Sequence, residues 1–242
     1  MADKYFIGTS GWQYDHWRNV LYPEKLGKKK WLSYYAERFN TVEVNSTFYN
    51  PIKPKTFSRW YNETPSNFKF TIKGYRVITH FKKLHDVEDD IKAFYERAAP
   101  LQHKLGCVLW QLPSNLHKNM ELLEEFCKNL DKRKNNVIEF RHVSWFTEDV
   151  QSLLQKYKIG YCIISSPELP EIITVTSNIL YMRFHGINNW YTEKYGKEKL
   201  KDYASKIKKT DAKKVYCYFN NDENGYAVHD AYNLRELLTQ DY

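Results

Sequence analysis

Asn136-Val137-Ile138-Glu139-Phe140-Arg141-His142 is the stretch whose reading decides the fold. Its β-branched and aromatic residues mark a strand. Along a strand, side chains alternate between faces, so Glu139 and Arg141 point one way and Ile138 and Phe140 the other. The same split recurs at other candidate strand ends. One parity holds Val42 and Val44, Phe70 and Ile72, Val108 and Trp110, Met182 and Phe184, Cys217 and Phe219. The opposite parity holds Glu43 and Asn45, Thr71 and Lys73, Leu109 and Gln111, Arg183 and His185, Tyr218 and Asn220. One face is almost wholly apolar and the other almost wholly polar.

In a parallel barrel the outward face packs on helices, while the inward face opens at the C-terminal rim onto solvent or substrate. An open doubly wound sheet buries both faces under helices and makes both apolar. The alternation therefore favours a barrel, and Gly8-Thr9-Ser10-Gly11 lacks the spacing of a dinucleotide-binding turn. Strand six departs from the pattern: Cys162, Ile163 and Ile164 are apolar on both parities, and only Ser165 is polar.

The remaining periodicity fits eight β-α units. Strands are expected at 5–10, 41–45, 68–73, 106–112, 136–142, 159–165, 179–185 and 213–220. Helices are expected at 28–39, 54–63, 87–103, 120–130, 147–157, 193–209 and 227–239. The segment 74–84 is a long excursion after strand three, and 166–177 is irregular with two prolines. No linker composition interrupts the chain, so residues 1–242 read as a single (β/α)8 barrel domain with parallel strands, near the small end of that fold.

The chain has 242 residues, of which 42% are hydrophobic and 17% aromatic, enough for a sizeable core. The formal charge of +8 suits an anionic small molecule or nucleic acid as partner; a solvated lysine surface is the plainer explanation. Lysine clusters at 28–30, 132–134 and 206–209 are expected on helices or their ends, mostly away from the mouth. No leader-like or membrane-length apolar run is visible, so a cytoplasmic protein without membrane contact is expected. Cys107, Cys127, Cys162 and Cys217 have no paired spacing and read as structural thiols. Oligomeric state is not legible.

Specific motifs run the length of the chain. They include Gly8-Thr-Ser-Gly11-Trp12 with Tyr14 and Trp17, Phe39-Asn-Thr-Val-Glu43-Val-Asn45-Ser-Thr-Phe-Tyr49, and Trp60 with Thr64-Pro65. Phe68-x-Phe70, Lys73, Thr79-His80, Leu84 and Gln111-Leu-Pro113 follow. The last are Glu139-Phe-Arg141-His142 with Trp145, Arg183-Phe-His185-Gly186, and Phe219-Asn-Asn-Asp222 with Gly225 and Ala227. In these the chain resembles the DUF72, or YecE-like, family. The resemblance implies a TIM-like barrel and carries no reaction with it. That family often has an Asp after strand six, where this chain has Ser165-Ser166.

The polar parity set defines the expected site. Lys73, Arg141 and Arg183 would bind an anion, the arginines in bidentate fashion. Glu43 and Glu139, from strands two and five, would face each other and divide acid and base roles. His185 would shuttle protons near neutral pH. Asn45, Gln111 and Asn220 would orient hydroxyls or a carbonyl. Trp12, Tyr14, Tyr49 and Trp145 would stack on a sugar or base, or else pack the rim loops. Lys73 has an alternative role as a Schiff-base nucleophile, its amine tuned down by arginines or up by carboxylates.

No organic cofactor is expected. A divalent metal on Glu43, Glu139, His142 and His185 is disfavoured by three cations in the same ring. His142 is out of phase with Glu139 and belongs at the rim, and His80 sits in a candidate lid. The expected function is an enzyme performing acid–base chemistry on a small anionic, phosphorylated or sugar-like substrate: a hydrolase, lyase or isomerase. Glu139→Gln should then abolish turnover without lowering the melting temperature. A nucleic-acid-binding or processing protein and a non-catalytic anion sensor are the competing expectations.

Overall fold

The computed structural model describes residues 4–240. The outermost residues of the expected 1–242 domain, 1–3 and 241–242, lie outside the described residues. Eight parallel strands form one sheet: β1 (Tyr5–Thr9), β2 (Thr41–Val44), β3 (Lys69–Lys73), β4 (Leu105–Gln111), β5 (Asn136–Glu139), β6 (Gly160–Ser165), β7 (Ile179–Phe184) and β8 (Lys214–Phe219). The hydrogen-bonded order runs β1-β8-β7-β6-β5-β4-β3-β2. Only β1 and β2 lack a ladder between them, and a single Ser10–Glu43 bridge closes the ring there.

Side chains stitch that seam where backbone pairing is missing. The Tyr35 hydroxyl accepts from Thr9 N at 3.0 Å and donates to Thr41 O at 3.0 Å. Asn40 Nδ2 donates to Tyr5 O at 2.8 Å, and Ser10 Oγ to Glu43 Oε1 at 2.7 Å. A Cβ on Gly8 would stand 2.3 Å from Thr41 O, so only glycine lets the two strands approach this closely.

Helices cover the outside: α1 (Trp31–Ala36), α2 (Ser46–Tyr49), α3 (Pro54–Asn62), α4 (Glu88–Ala98), α5 (Met120–Asn129), α6 (Glu148–Tyr157), α7 (Lys197–Lys208) and α8 (Tyr226–Thr239). Against them packs the apolar parity set, with Val42, Phe70, Trp110, Ile138, Phe140, Met182, Phe184 and Phe219 all in the main core. A second, smaller core plugs the barrel itself, built from Phe6, Cys107, Leu109, Val137, Cys162, Ile164, Tyr181 and Tyr218 among others. All four cysteines are free and buried.

Some expected boundaries move for local reasons. The 87–103 helix breaks into α4 and a 3-10 segment, Ala99–Lys104, around Pro100 and the positive φ of Gln102. The helix expected from Glu193 starts at Lys197, because the Glu193 carboxylate instead accepts the Ile187 and Asn188 amides and holds the β7–α7 loop. The 74–84 excursion contains a π-turn, Val77–Phe81, and α2 was not anticipated at all. Among the described residues no helix is long and apolar enough to cross a membrane.

Candidate functional site

The polar parity set converges at the C-terminal mouth, in two tiers. The lower tier is a network centred on the buried Glu43, Glu139 and Arg183. Arg183, from the end of β7, donates from Nη2 to Glu43 Oε1 at 2.6 Å and from Nε to the same oxygen at 3.1 Å. Its Nη1 donates to Glu139 Oε2 at 2.6 Å, so one guanidinium bridges both carboxylates. Arg141 Nε takes the other oxygen of Glu139, and the Tyr181 hydroxyl the other oxygen of Glu43. Beneath these, the Tyr218 hydroxyl meets Thr41 Oγ1 and Thr71 Oγ1, each at 2.7 Å.

Both carboxylates are 0% exposed and every oxygen is occupied. Burial would raise the Glu139 carboxyl, but the charges of Arg141 and Arg183 outweigh it and hold the group well below the usual carboxylate range. Glu43 and Glu139 therefore do not face each other across the mouth as an acid and a base. Buried and saturated by hydrogen bonds, they set the positions of the arginines above them. Glu139→Gln would remove a charge from between two guanidiniums, so its expected neutrality for stability is reversed.

His185 also departs from its expected role. It is 0% exposed, and burial, followed by the fields of Arg183 and Arg141, pushes its pKa well below the ordinary value. Arg141 Nη2 stands 3.0 Å from His185 Nε2 and can only donate, so that nitrogen accepts and the ring carries its proton on Nδ1. Asn220 Nδ2 is placed 3.2 Å from Nδ1; with Nδ1 protonated, the amide must be turned so that its oxygen accepts there. His185 is buried between Arg141 and Asn220 and does not line the cleft.

The upper tier faces an open cleft of about 640 Å³, lined by Lys73, Arg141, Arg183, Asn45, Gln111, Asn220, Tyr14 and Tyr49 together with His16, Asp222 and three neighbours from the rim loops. Asn45 Oδ1 is buried without a partner among the described residues. The Tyr14 hydroxyl donates to Ser10 O at 2.5 Å, and burial lifts it to about 12. A second hollow shares Gln111 and Arg141 with the first and adds His80, Ser114, Glu168 and Trp190. The Trp190 ring lies 5.2 Å from the Arg141 guanidinium. Burial and the Lys73 charge hold His80 at about 4, so it is neutral at physiological pH.

Lys73 is the part of the cation floor whose amine reaches the cleft, although the residue is largely buried. Its Nζ sits 4.1 Å from the Phe48 ring centre, and among the described residues it has no hydrogen-bond acceptor. Burial first, then Arg183, lower its pKa from 10.5 to about 8 against the opposing pull of Glu139 and Glu43. The arginines and the desolvation win.

Several expected residues lie elsewhere. Trp12 is buried edge-on against Trp60 at 5.4 Å, outside the mouth, and Trp145 stacks on Phe140 at 5.0 Å. Both are packing residues. Ser165 points outward, its hydroxyl 2.9 Å from that of Tyr203, so β6 contributes no polar group to the mouth. His142 stacks on His117 at 3.9 Å and caps the turn at Ser144. Among the described residues no group of three or more His, Cys, Asp or Glu side chains is placed to hold a metal ion. The lysines at 132–134 precede β5 and those at 206–209 form the last turn and C-cap of α7, both at the barrel end opposite the mouth.

Sequence reasoning missed the wall formed by His16 and Asp222. Because β1 pairs with β8, the loops that follow them meet. His16 Nε2 stands 2.9 Å from Asp222 Oδ2, and Trp17 Nε1 donates to the same carboxylate at 2.9 Å. Burial raises the Asp222 carboxyl above its ordinary value. With Nε2 donating to the carboxylate, His16 Nδ1 is left as the basic atom. Extending the parity of Asn220 two residues beyond β8 would have pointed to Asp222.

Known proteins agree with this architecture. A Bacillus subtilis protein, "UPF0759 protein YunF", is 27% identical over 98% of this chain and 95% of its own length. The Escherichia coli "UPF0759 protein YecE" is 31% identical over 61% of this chain and 53% of its own. A DUF72 family protein from Thermotoga maritima superposes with a TM-score of 0.89 at 27% identity, covering 98% of this chain and 100% of that one. A D-psicose 3-epimerase crystallised with D-fructose shares the fold alone, with a TM-score of 0.58 at 9% identity. The model of the family described as "Protein of unknown function DUF72" matches residues 6–242, and the chain belongs to that family.

Proposed function

We propose that the barrel mouth binds a small anionic substrate, phosphorylated or sugar-like, and that His16 with Asp222 moves a proton on it. One observation carries the reading: the two buried carboxylates are consumed by the two guanidiniums, and the Lys73 ammonium remains uncompensated at the cleft floor. An anion entering the cleft meets Lys73, Arg141 and the edge of Arg183, with amides of Asn45, Gln111 and Asn220 around it. Such donors, fixed before binding, cost little reorganisation when they meet negative charge. His16, on the opposite wall, has a free ring nitrogen for acid–base work, and Asp222 orients it. Tyr49, more than half exposed at the rim, offers a flat face for a sugar.

Thermal stabilisation by inorganic phosphate tests the binding half. A saturable rise in melting temperature is expected, lost in Arg141→Met. No stabilisation by phosphate, sulfate or small carboxylates would refute the pocket. Incubation with a panel of sugar phosphates, followed by phosphorus NMR, tests the chemistry, which His16→Asn should abolish. Binding without turnover of any member would leave a non-catalytic anion sensor.

A further inference from the structure

Among the described residues two lysines are buried, and they are treated in opposite ways. Lys104, 3% exposed, donates to Tyr61 O at 2.5 Å, Thr64 O at 2.7 Å and Thr64 Oγ1 at 3.2 Å. All three ammonium protons are satisfied, as a structural lysine requires. Lys73, 8% exposed, meets an aromatic face and no acceptor. Its main chain is held firmly: Thr47 Oγ1 donates to Lys73 O at 2.7 Å, and β3 pairs Lys73 with Leu109. The strand exit is fixed as well, since a Cβ on Gly74 would stand 2.2 Å from the Trp110 ring.

The stem is thus anchored while the amine projects into the cleft unpaired. A lysine kept only to neutralise charge would be expected to pair with Glu139 or Glu43, but both are already taken by arginine. Two guanidiniums beside it add the electrostatic penalty that makes an amine give up its proton.

We infer that Lys73 is a nucleophilic amine that condenses with an aldehyde or ketone carbonyl on the anionic substrate, an inference that rests on the anion-binding reading above. The Nζ lone pair attacks the carbonyl carbon, and the carbonyl π pair goes to oxygen. Transfer of a proton from nitrogen to that oxygen gives a carbinolamine. Protonation of its hydroxyl from solvent expels one water, and the nitrogen lone pair closes the C=N bond. Amine and carbonyl thereby become iminium and water, with no oxidant or reductant consumed. Arg141 and Arg183 hold the negative end of the substrate while its carbonyl reaches Lys73. A neutral amine fraction near pH 8 agrees with this role. The substrate class is accordingly an oxo-acid or a phosphorylated aldose or ketose in its open form.

Reductive trapping tests the proposal without needing a variant. The full chain is incubated with glyoxylate and cyanoborohydride, and hydride addition to the imine carbon leaves a stable carboxymethyl-lysine mapped by peptide mass. Lys73 is expected to label at least about tenfold faster than exposed Lys28 at pH 8, because far more of it is unprotonated. Excess inorganic phosphate should protect it, and the Lys73→Arg variant should show no adduct there. Labelling of Lys73 no faster than Lys28 overturns the inference. Melting curves with phosphate on the same sample separate the two readings. Stabilisation with Lys73 unlabelled leaves the anion pocket standing and removes the imine. Fast labelling without stabilisation or protection retains the nucleophile and removes the anion pocket.

Discussion

Replacing Lys73 by Met should make the protein more stable at neutral pH, and the size of the gain can be worked from the site. The amine falls from its ordinary 10.5 to about 8 in the folded chain, which corresponds to about 3 kcal/mol against the charged form. Met keeps the aliphatic stem against Phe48 and removes the buried charge. Urea unfolding at pH 7 should therefore show a gain on the order of 3 kcal/mol, or roughly 6–12 °C in melting temperature for a chain of this size.

The pH dependence fixes the sign. Below pH 8 the lysine is charged in both folded and unfolded states, and the full penalty applies. Between about 8 and 10.5 the unfolded chain binds the extra proton, so wild-type stability rises relative to Lys73→Met. Most of the gap should close by about pH 10. Parallel denaturation curves of the two proteins at pH 7 and 10 cancel every other titrating group. A Met variant that is less stable at pH 7, or a gap independent of pH, would refute the account of Lys73 as a strained, unpaired cation. It would also remove the rationale for keeping such a lysine, which is function at the expense of stability.

Further outcomes follow from the network and the seam. Glu139→Gln and Arg183→Met should each destabilise the fold by about 3–5 kcal/mol in urea titrations, since each leaves buried charges without a partner. The stability contributed by Glu139 is fully present above about pH 4.3 and lost as the pH falls below it, because its folded carboxyl is held low. Tyr35→Phe should cost about 1–3 kcal/mol and accelerate amide exchange at Thr9, as the hydroxyl that joins β1 to β2 disappears.

The sequence by itself determined the barrel and which parity of its strands turns toward the mouth. Strand alternation is a local property: Ile138 and Phe140 must face away from Glu139 and Arg141 in any extended chain, and six strands repeating that split leave one architecture. Lys73, Arg141, Arg183, Asn45, Gln111 and Asn220 accordingly line the cleft.

Tertiary structure decided which charges pair and how deep they lie. Parity could not say that Arg183 would reach both Glu43 and Glu139, because that depends on the stagger between β2, β5 and β7. Nor could it rank depth, so the carboxylates and His185, placed at the mouth by alternation, turned out to be its buried support. Trp12 lies beyond the reach of strand alternation, in a loop whose course is set by packing on Trp60. His16 and Asp222, more than 200 residues apart, meet only because ring closure makes β1 and β8 neighbours. Pairing and burial are non-local quantities, and they made Glu139 a buried, arginine-paired carboxylate and left Lys73 without an ion-pair partner at the cleft.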